Sequence, residues 1–260
     1  MTFTIDLEGR RALVTGGGQG VGRATARSLA DAGASVVVND VVADRAEAVA
    51  AEIRADGGEA DIAPFDVTDR GAVRAAIDGL GGVDILVNNA GNAGTEGFTE
   101  MVPFADTDPD TWDRFFRINL FGVMYCTHAA LPSMIAKREG RVITIVSDAG
   151  RFGDAYLAPY AAAKAGAAGF CRSVAREMGR HGITVNCVSL GTVRTPATTA
   201  GDEPDDLDDE AMRRRLSQYI IRRRGEPADV AAMVTYLASP LASWITGQTY
   251  PVNGGYTLSL

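Results

Sequence analysis

Short apolar runs rich in β-branched residues alternate along the chain with longer, amphipathic, Ala-rich stretches. The runs at 12–15, 35–39, 60–65, 84–88, 141–146, 184–188 and 249–252 read as strands. Most are continuously apolar rather than alternating, the pattern of strands covered on both faces. Helical patterns fill most of the gaps, at 21–32, 43–55, 111–136, 160–179 and 228–238. Repeated strand–helix–strand order predicts an α/β fold, a parallel sheet with helices on both sides. No internal repeat, low-complexity tract or interdomain linker interrupts the sequence, so residues 1–260 read as one domain.

Composition narrows the function classes. Hydrophobic residues make up 46% of the chain and the mean hydropathy is near zero, as in a soluble globular protein. A net charge of −8 disfavours non-specific nucleic-acid binding. Cys126, Cys171 and Cys187 are far apart in sequence and lack metal-ligand spacing, and only His128 and His181 could assist them, so no metal site is expected. The first residues lack a basic segment followed by an apolar one, and no apolar run reaches membrane-spanning length. The expectation is a cytoplasmic protein without membrane or nucleic-acid partners.

The first predicted strand runs into Thr15-Gly-Gly-Gly-Gln-Gly-Val-Gly22 and then a helix. Gly16, Gly20 and Gly22 permit a tight turn and close backbone approach to a phosphate. The helix N-terminus, from Gln19 through Val21, offers free N–H groups. The second strand ends at Asp40, 18 residues past Gly22. A carboxylate there accepts hydrogen bonds from both hydroxyls of an adenosine ribose and repels a 2′-phosphate. Gln19 and Val41 supply no positive charge for such a phosphate, so NAD is expected rather than NADP. Asp66 and Val67 close the third strand, where a carboxylate could receive an adenine amino group; Asp-Val-Thr-Asp also reads as a helix N-cap. Asn88, Ala90 and Gly91 lie in the Asn-Asn-Ala-Gly that ends the fourth strand, as a cofactor wall or a plain turn. Asn119 sits inside a predicted helix, where Asn costs stability; it is either a surface residue or a polar group with a role.

Ser147 ends the fifth strand, and Tyr160-Ala-Ala-Ala-Lys164 begins the next helix. Four residues are about one turn, so the phenol and the ammonium share a helix face. The positive charge is expected to lower the Tyr pKa toward working pH. The chain has 23 Arg but only two Lys, Lys137 and Lys164, and Arg cannot act as a compact, tunable ammonium.

The Gly-rich turn, Asn-Asn-Ala-Gly, helical Asn, strand-end Ser and Tyr-x-x-x-Lys occur in one order, and together they resemble the short-chain dehydrogenase/reductase family over essentially the whole chain. The resemblance implies a Rossmann-like, doubly wound sheet of seven strands in the order 3-2-1-4-5-6-7. It implies a nicotinamide cofactor and alcohol–carbonyl chemistry. Tyr160 would be the acid/base, with Lys164 holding the nicotinamide ribose, Ser147 polarising the substrate oxygen and Asn119 anchoring a water. Val193 and Thr195 would lie along the nicotinamide, with Thr195 on its carboxamide. Family members are commonly homotetramers. The family's Pro-Gly after the sixth strand is here Leu190-Gly191.

A substrate lid is expected at about 192–226. Asp202 to Glu210 carries seven acids, followed by Arg213-Arg-Arg215 and Arg222-Arg-Arg224. Asp209–Arg213 and Glu210–Arg214 suit helical pairing in a solvated lid; alternatively the arginines contact an anionic substrate such as a CoA thioester. Asp148 and the loop 151–156 would line the opposite wall, and Glu96, Glu100 and Asp106 could border the mouth. The leading expectation is an NAD-dependent enzyme interconverting a small secondary alcohol and a ketone. A non-catalytic NAD-binding protein and a methyltransferase are the competing readings; neither explains Ser147 with Tyr160 and Lys164.

Overall fold

The computed structural model describes residues 4–91, 102–195, 213–214 and 216–258. Its strands are β1 Arg11–Val14, β2 Ser35–Val38, β3 Ala60–Ile62, β4 Ile85–Asn88, β5 Gly140–Ser147, β6 Ile183–Leu190 and β7 Thr249–Val252. Among the described residues they form one sheet in the order β3-β2-β1-β4-β5-β6-β7, and every pairing is parallel. The helices that cover it are α1 Gly20–Asp31, α2 Ala43–Ala55, α3 Arg70–Gly79, α4 Asp113–Phe116, α5 Gly122–Lys137, α6 Ala149–Phe152, α7 Ala158–Met178 and α8 Pro227–Ala238.

Successive strand residues serve opposite faces, which is why the runs are continuously apolar. Ala12, Val14, Val36, Val38, Ile85 and Val87 pack with α1, α2 and α8. Leu13, Val37 and Leu86 pack with α3, α5 and α7 on the other side. The N-terminal ends of the central strands are pinned by Asp84, which accepts the backbone N–H of Arg11 at 2.9 Å and the Lys137 ammonium at 2.6 Å. Burial would raise the Asp84 pKa, but these two donors hold it below its ordinary value. One of the two lysines is thus used in the frame.

The structure departs from the expected elements in two places. The single helix expected over 111–136 is interrupted: α4 leads into a π-helical turn, Arg117–Phe121, before α5. The helix Arg70–Gly79 has only its cap, Asp-Val-Thr-Asp, among the expected features, and Asp69 does cap it by accepting from the N–H groups of Gly71 and Ala72. The helical run Pro109–Lys137 is long and apolar enough to cross a membrane by length and composition. Here it packs on α3, β4, β5 and α7, and its polar residues Asn119 and Thr127 are fully buried against protein.

Candidate active site

The carboxyl ends of β1, β4, β5 and β6 carry the predicted chemistry to one edge of the sheet. After β1 the chain turns at Gly16 (φ 60°) and enters α1 at Gly20 (φ 54°). A Cβ on Gly22 would lie 2.1 Å from the Gly16 carbonyl oxygen, so only glycine fits. Gln19 is the extended N-cap residue of α1 and its side chain caps nothing, so Gly20, Val21 and Gly22 present their N–H groups at an open helix end. Asn89 laces this turn shut. Its Nδ2 donates to the carbonyls of Thr15 and Gly16 at 3.0 and 2.9 Å, and Thr15 Oγ1 accepts from the N–H groups of Asn89 and Ala90. Neither Thr15 nor Asn89 was singled out from sequence, though strand alternation separates Asn89 from its neighbour.

Asn88 itself points the other way. Its Nδ2 donates to Thr127 and Thr144 in the core, so its side chain is not a cofactor contact. Asp40 lies against the Gly-rich turn, accepting from Gly18 N at 3.2 Å and from Val42 N at 3.0 Å. Its two oxygens are thereby oriented and keep further acceptor capacity. Asp66 is exposed and accepts from Thr68 N at 2.8 Å, while Asp69 is the actual cap of α3. The Val67 side chain is buried and packs where a Cβ on Gly122 would lie, 2.9 Å from its Cγ2.

Ser147 is the last residue of β5, and its Oγ accepts from Ala149 N at 3.2 Å. α7 begins at Ala158, with Pro159 in its first turn, and brings Tyr160 near enough to Ser147 for the serine hydroxyl to act on the phenol. Phe115 supports the Tyr160 ring edge-on at 6.5 Å. Lys164 is buried, donates to the Ile145 carbonyl at 2.9 Å and stands 5.9 Å from the Tyr160 ring centre. Asn119 is fully buried in the π turn, its Nδ2 donating to Phe115 O at 3.0 Å. A Cβ on Gly91 would lie 2.9 Å from both Asn119 Oδ1 and Lys164 Nζ, so the three residues meet at one point. The surface alternative for Asn119 is excluded, and the π turn is the local distortion that places it.

The expected electrostatics need correction. Burial pushes the Tyr160 phenol above its ordinary value; the Ser147 hydrogen bond opposes this, and the charge of Asp154 adds to it. The Lys164 ammonium donates to the Ile145 carbonyl and is itself penalised by burial, its pKa falling to about 8, with Cys187 acting weakly the other way. The folded-state pKa of Lys164 thus lies below its unfolded value near 10.4. Between these values the unfolded chain binds more protons, so this group makes stability rise from about pH 8 to about pH 10. Replacing Lys164 by Met is expected to raise ligand-free stability at pH 7 and to flatten that rise. Denaturant melts of both proteins across pH 7–10 test it, and parallel curves would refute the assignment.

Asp148 is also corrected: it does not line the wall. It is 1% exposed and faces inward, accepting from Ser189 Oγ at 2.6 Å, Asn253 Nδ2 at 2.5 Å and Thr257 Oγ1 at 2.9 Å, and pairing with Arg151 at 3.1 Å. Leu190, in place of the family's proline, ends β6 opposite Ser147, and its carbonyl accepts from Asp148 N. Thr192 accepts and donates through Tyr219, whose hydroxyl bonds both its N–H and its Oγ1. Val193 is buried and bridges Gly225, and half-buried Thr195 closes the segment. Most of the expected lid, including Asp202 to Glu210, the proposed pairs to Arg213 and Arg214, and also Glu96 and Glu100, lies outside the described residues; Asp106 is exposed. All three cysteines are buried and free.

This site has a Gly-rich turn at an open helix end, an acid at the end of β2, and a Ser–Tyr–Lys–Asn group at the same sheet edge. It defines a doubly wound α/β oxidoreductase site. Residues 16–257 match the family described as Enoyl-(Acyl carrier protein) reductase. The chain is 38% identical over 255 residues to the 3-oxoacyl-acyl-carrier-protein reductase FabG of Vibrio cholerae, covering 96% of this chain and 98% of that protein. It is 37% identical to the 7alpha-hydroxysteroid dehydrogenase of Escherichia coli K12, covering 96% and 95%. Among solved structures, a gluconate 5-dehydrogenase from Burkholderia cenocepacia in complex with NADP and tartrate superimposes with a TM-score of 0.87 at 34% identity, covering 98% of each chain. The chain belongs to the short-chain dehydrogenase/reductase family. It is an oxidoreductase acting with a nicotinamide cofactor, and the cradle at Gly22 and the uncapped α1 fit the pyrophosphate of such a group.

Proposed function

We propose that the protein is an NAD(H)-dependent dehydrogenase that interconverts a secondary alcohol and a ketone. The observation that carries this reading is the placing of Tyr160, with Ser147 near it, beside the junction where Gly91, Asn119 and Lys164 meet. The cofactor supplies the hydride acceptor or donor. Tyr160 moves the proton: its raised pKa keeps it a phenol at neutral pH, ready to protonate the carbonyl oxygen in reduction, and in oxidation its phenolate, formed at alkaline pH by losing that proton to solvent, takes the hydroxyl proton. Ser147 donates to the same oxygen and stabilises the charge developing on it. Asn119 and Lys164 adjoin each other behind the phenol and fit a path for the proton to leave by. Asp40 supports NAD over NADP, since its buried carboxylate sits against Gly18 where a 2′-phosphate would approach. The reading includes a cytoplasmic, homo-oligomeric protein with a small-molecule substrate and no nucleic-acid or membrane partner.

Fluorescence titration with NADH and NADPH, followed by a panel of secondary alcohols and 3-hydroxyacyl thioesters, tests it. NADH is expected to bind at least about tenfold more tightly than NADPH, and Asp40→Ala to narrow the gap by about that factor. Equal binding of the two nucleotides by the unaltered protein would overturn the cofactor assignment. Turnover confined to the thioesters would move the substrate to the acyl class named in the Vibrio relative.

A further inference from the structure

Tyr219 is a buried phenol that the mechanism does not use. Its ring is held between two glycines and another ring. A Cβ on Gly191 would lie 3.1 Å from its Cε1, a Cβ on Gly254 would lie 3.3 Å from its Cδ1, and Tyr256 stacks on it at 4.9 Å. The fixed ring aims its hydroxyl at a single residue. The hydroxyl accepts from Thr192 N at 2.9 Å and donates to Thr192 Oγ1 at 3.0 Å. A buried phenol needs one hydrogen-bond partner, and any carbonyl would serve. Using donor and acceptor on the same residue fixes the orientation of that residue as well. The other side of the segment is held by Gly225, whose N–H donates to the Thr192 carbonyl at 3.0 Å and whose carbonyl accepts from Arg194 N at 2.8 Å.

Thr192 belongs to the turn that leaves β6 at the catalytic edge. Two residues earlier, Leu190 pairs with Ser147, and its carbonyl accepts from Asp148 N at 3.0 Å. The turn has little stiffness of its own. A proline at 190 would fix φ, but Leu190 leaves it free, and Gly191 has no Cβ to restrict it. The restraint comes instead from a side chain 27 residues further along the chain.

We infer that Tyr219 is a positioning residue: its hydroxyl holds the turn after β6 in one conformation, so that the nicotinamide end of the cofactor meets a preformed wall beside Ser147. The inference rests on the reading above, in which NADH lies along this edge. Without the hydroxyl the turn samples other conformations, and the cost of ordering it falls on binding of the nicotinamide half alone.

Calorimetric titration with NADH and with ADP-ribose, which lacks the nicotinamide, tests it. The unaltered protein is expected to bind NADH more tightly than ADP-ribose. Tyr219→Phe keeps the stacked ring and is expected to weaken NADH by about five- to tenfold, the worth of one or two hydrogen bonds, while ADP-ribose changes by less than about twofold. Thr192→Val is expected to lose part of the same factor, and the double variant to bind NADH no more weakly than Tyr219→Phe alone. A merely structural role would weaken both ligands alike. Equal loss for both ligands, no loss for either, or fully additive losses in the double variant would overturn the inference and leave the cofactor reading intact. Failure of the unaltered protein to bind NADH would instead bring down that reading and this inference with it.

Discussion

Replacing Tyr160 by Phe is expected to lower kcat by about 10²–10⁴-fold, the usual worth of a positioned acid–base group, while NADH affinity stays within about twofold. The variant removes one oxygen and keeps the ring that Phe115 supports, so the helix and the cofactor cradle are undisturbed. Steady-state turnover and NADH fluorescence, measured on the same preparation, check both halves. Activity above about a tenth of the original would assign the proton transfer to another group. The pH profile adds a second reading. Because burial holds the phenol above its ordinary value, the oxidative rate of the free enzyme should still be climbing at alkaline pH, and the reductive rate should hold up at neutral pH.

The second large effect concerns stability. Asp148→Ala is expected to destabilise the fold by about 3–5 kcal/mol, the summed cost of leaving several largely buried donors without their charged acceptor. The substitution strips acceptors from Ser189, Asn253 and Thr257 and leaves the Arg151 guanidinium without its carboxylate. Urea unfolding of both proteins measures it, and a difference under about 1 kcal/mol would show that the cluster is solvated in solution. Ser147 is the preceding residue, so the variant should also lose activity before it loses secondary structure.

Much of this architecture is legible in the sequence because parallel strands covered on both faces must be apolar throughout. All seven strands lie where the continuous runs predict them, with ends shifted by no more than three residues. The helix Arg70–Gly79 escaped because Gly71 and Gly79 weaken its local preference, although the Asp69 cap was readable. The break at Arg117–Phe121 escaped for a different reason: it is set by packing against α7, which no local pattern records. Ser147, Tyr160 and Lys164 were readable because two short motifs bring them to one sheet edge. Asp148 reads from sequence as part of the wall because three of its four partners are 41 to 109 residues away, and a strand-end acid looks like a solvated one. The place of Lys164 is legible in its motif, whereas its backbone partner on β5 is not.

The Asp148 cluster also bears on how the protein is made. Asn253 and Thr257 follow Asp148 by 105 and 109 residues, so at about 5–20 residues per second they leave the ribosome roughly 5–20 s after it. In that interval the carboxylate has Arg151 and then Ser189, but lacks the two donors from the segment after β7. The strand end that carries Ser147 therefore settles only after the segment following β7 arrives.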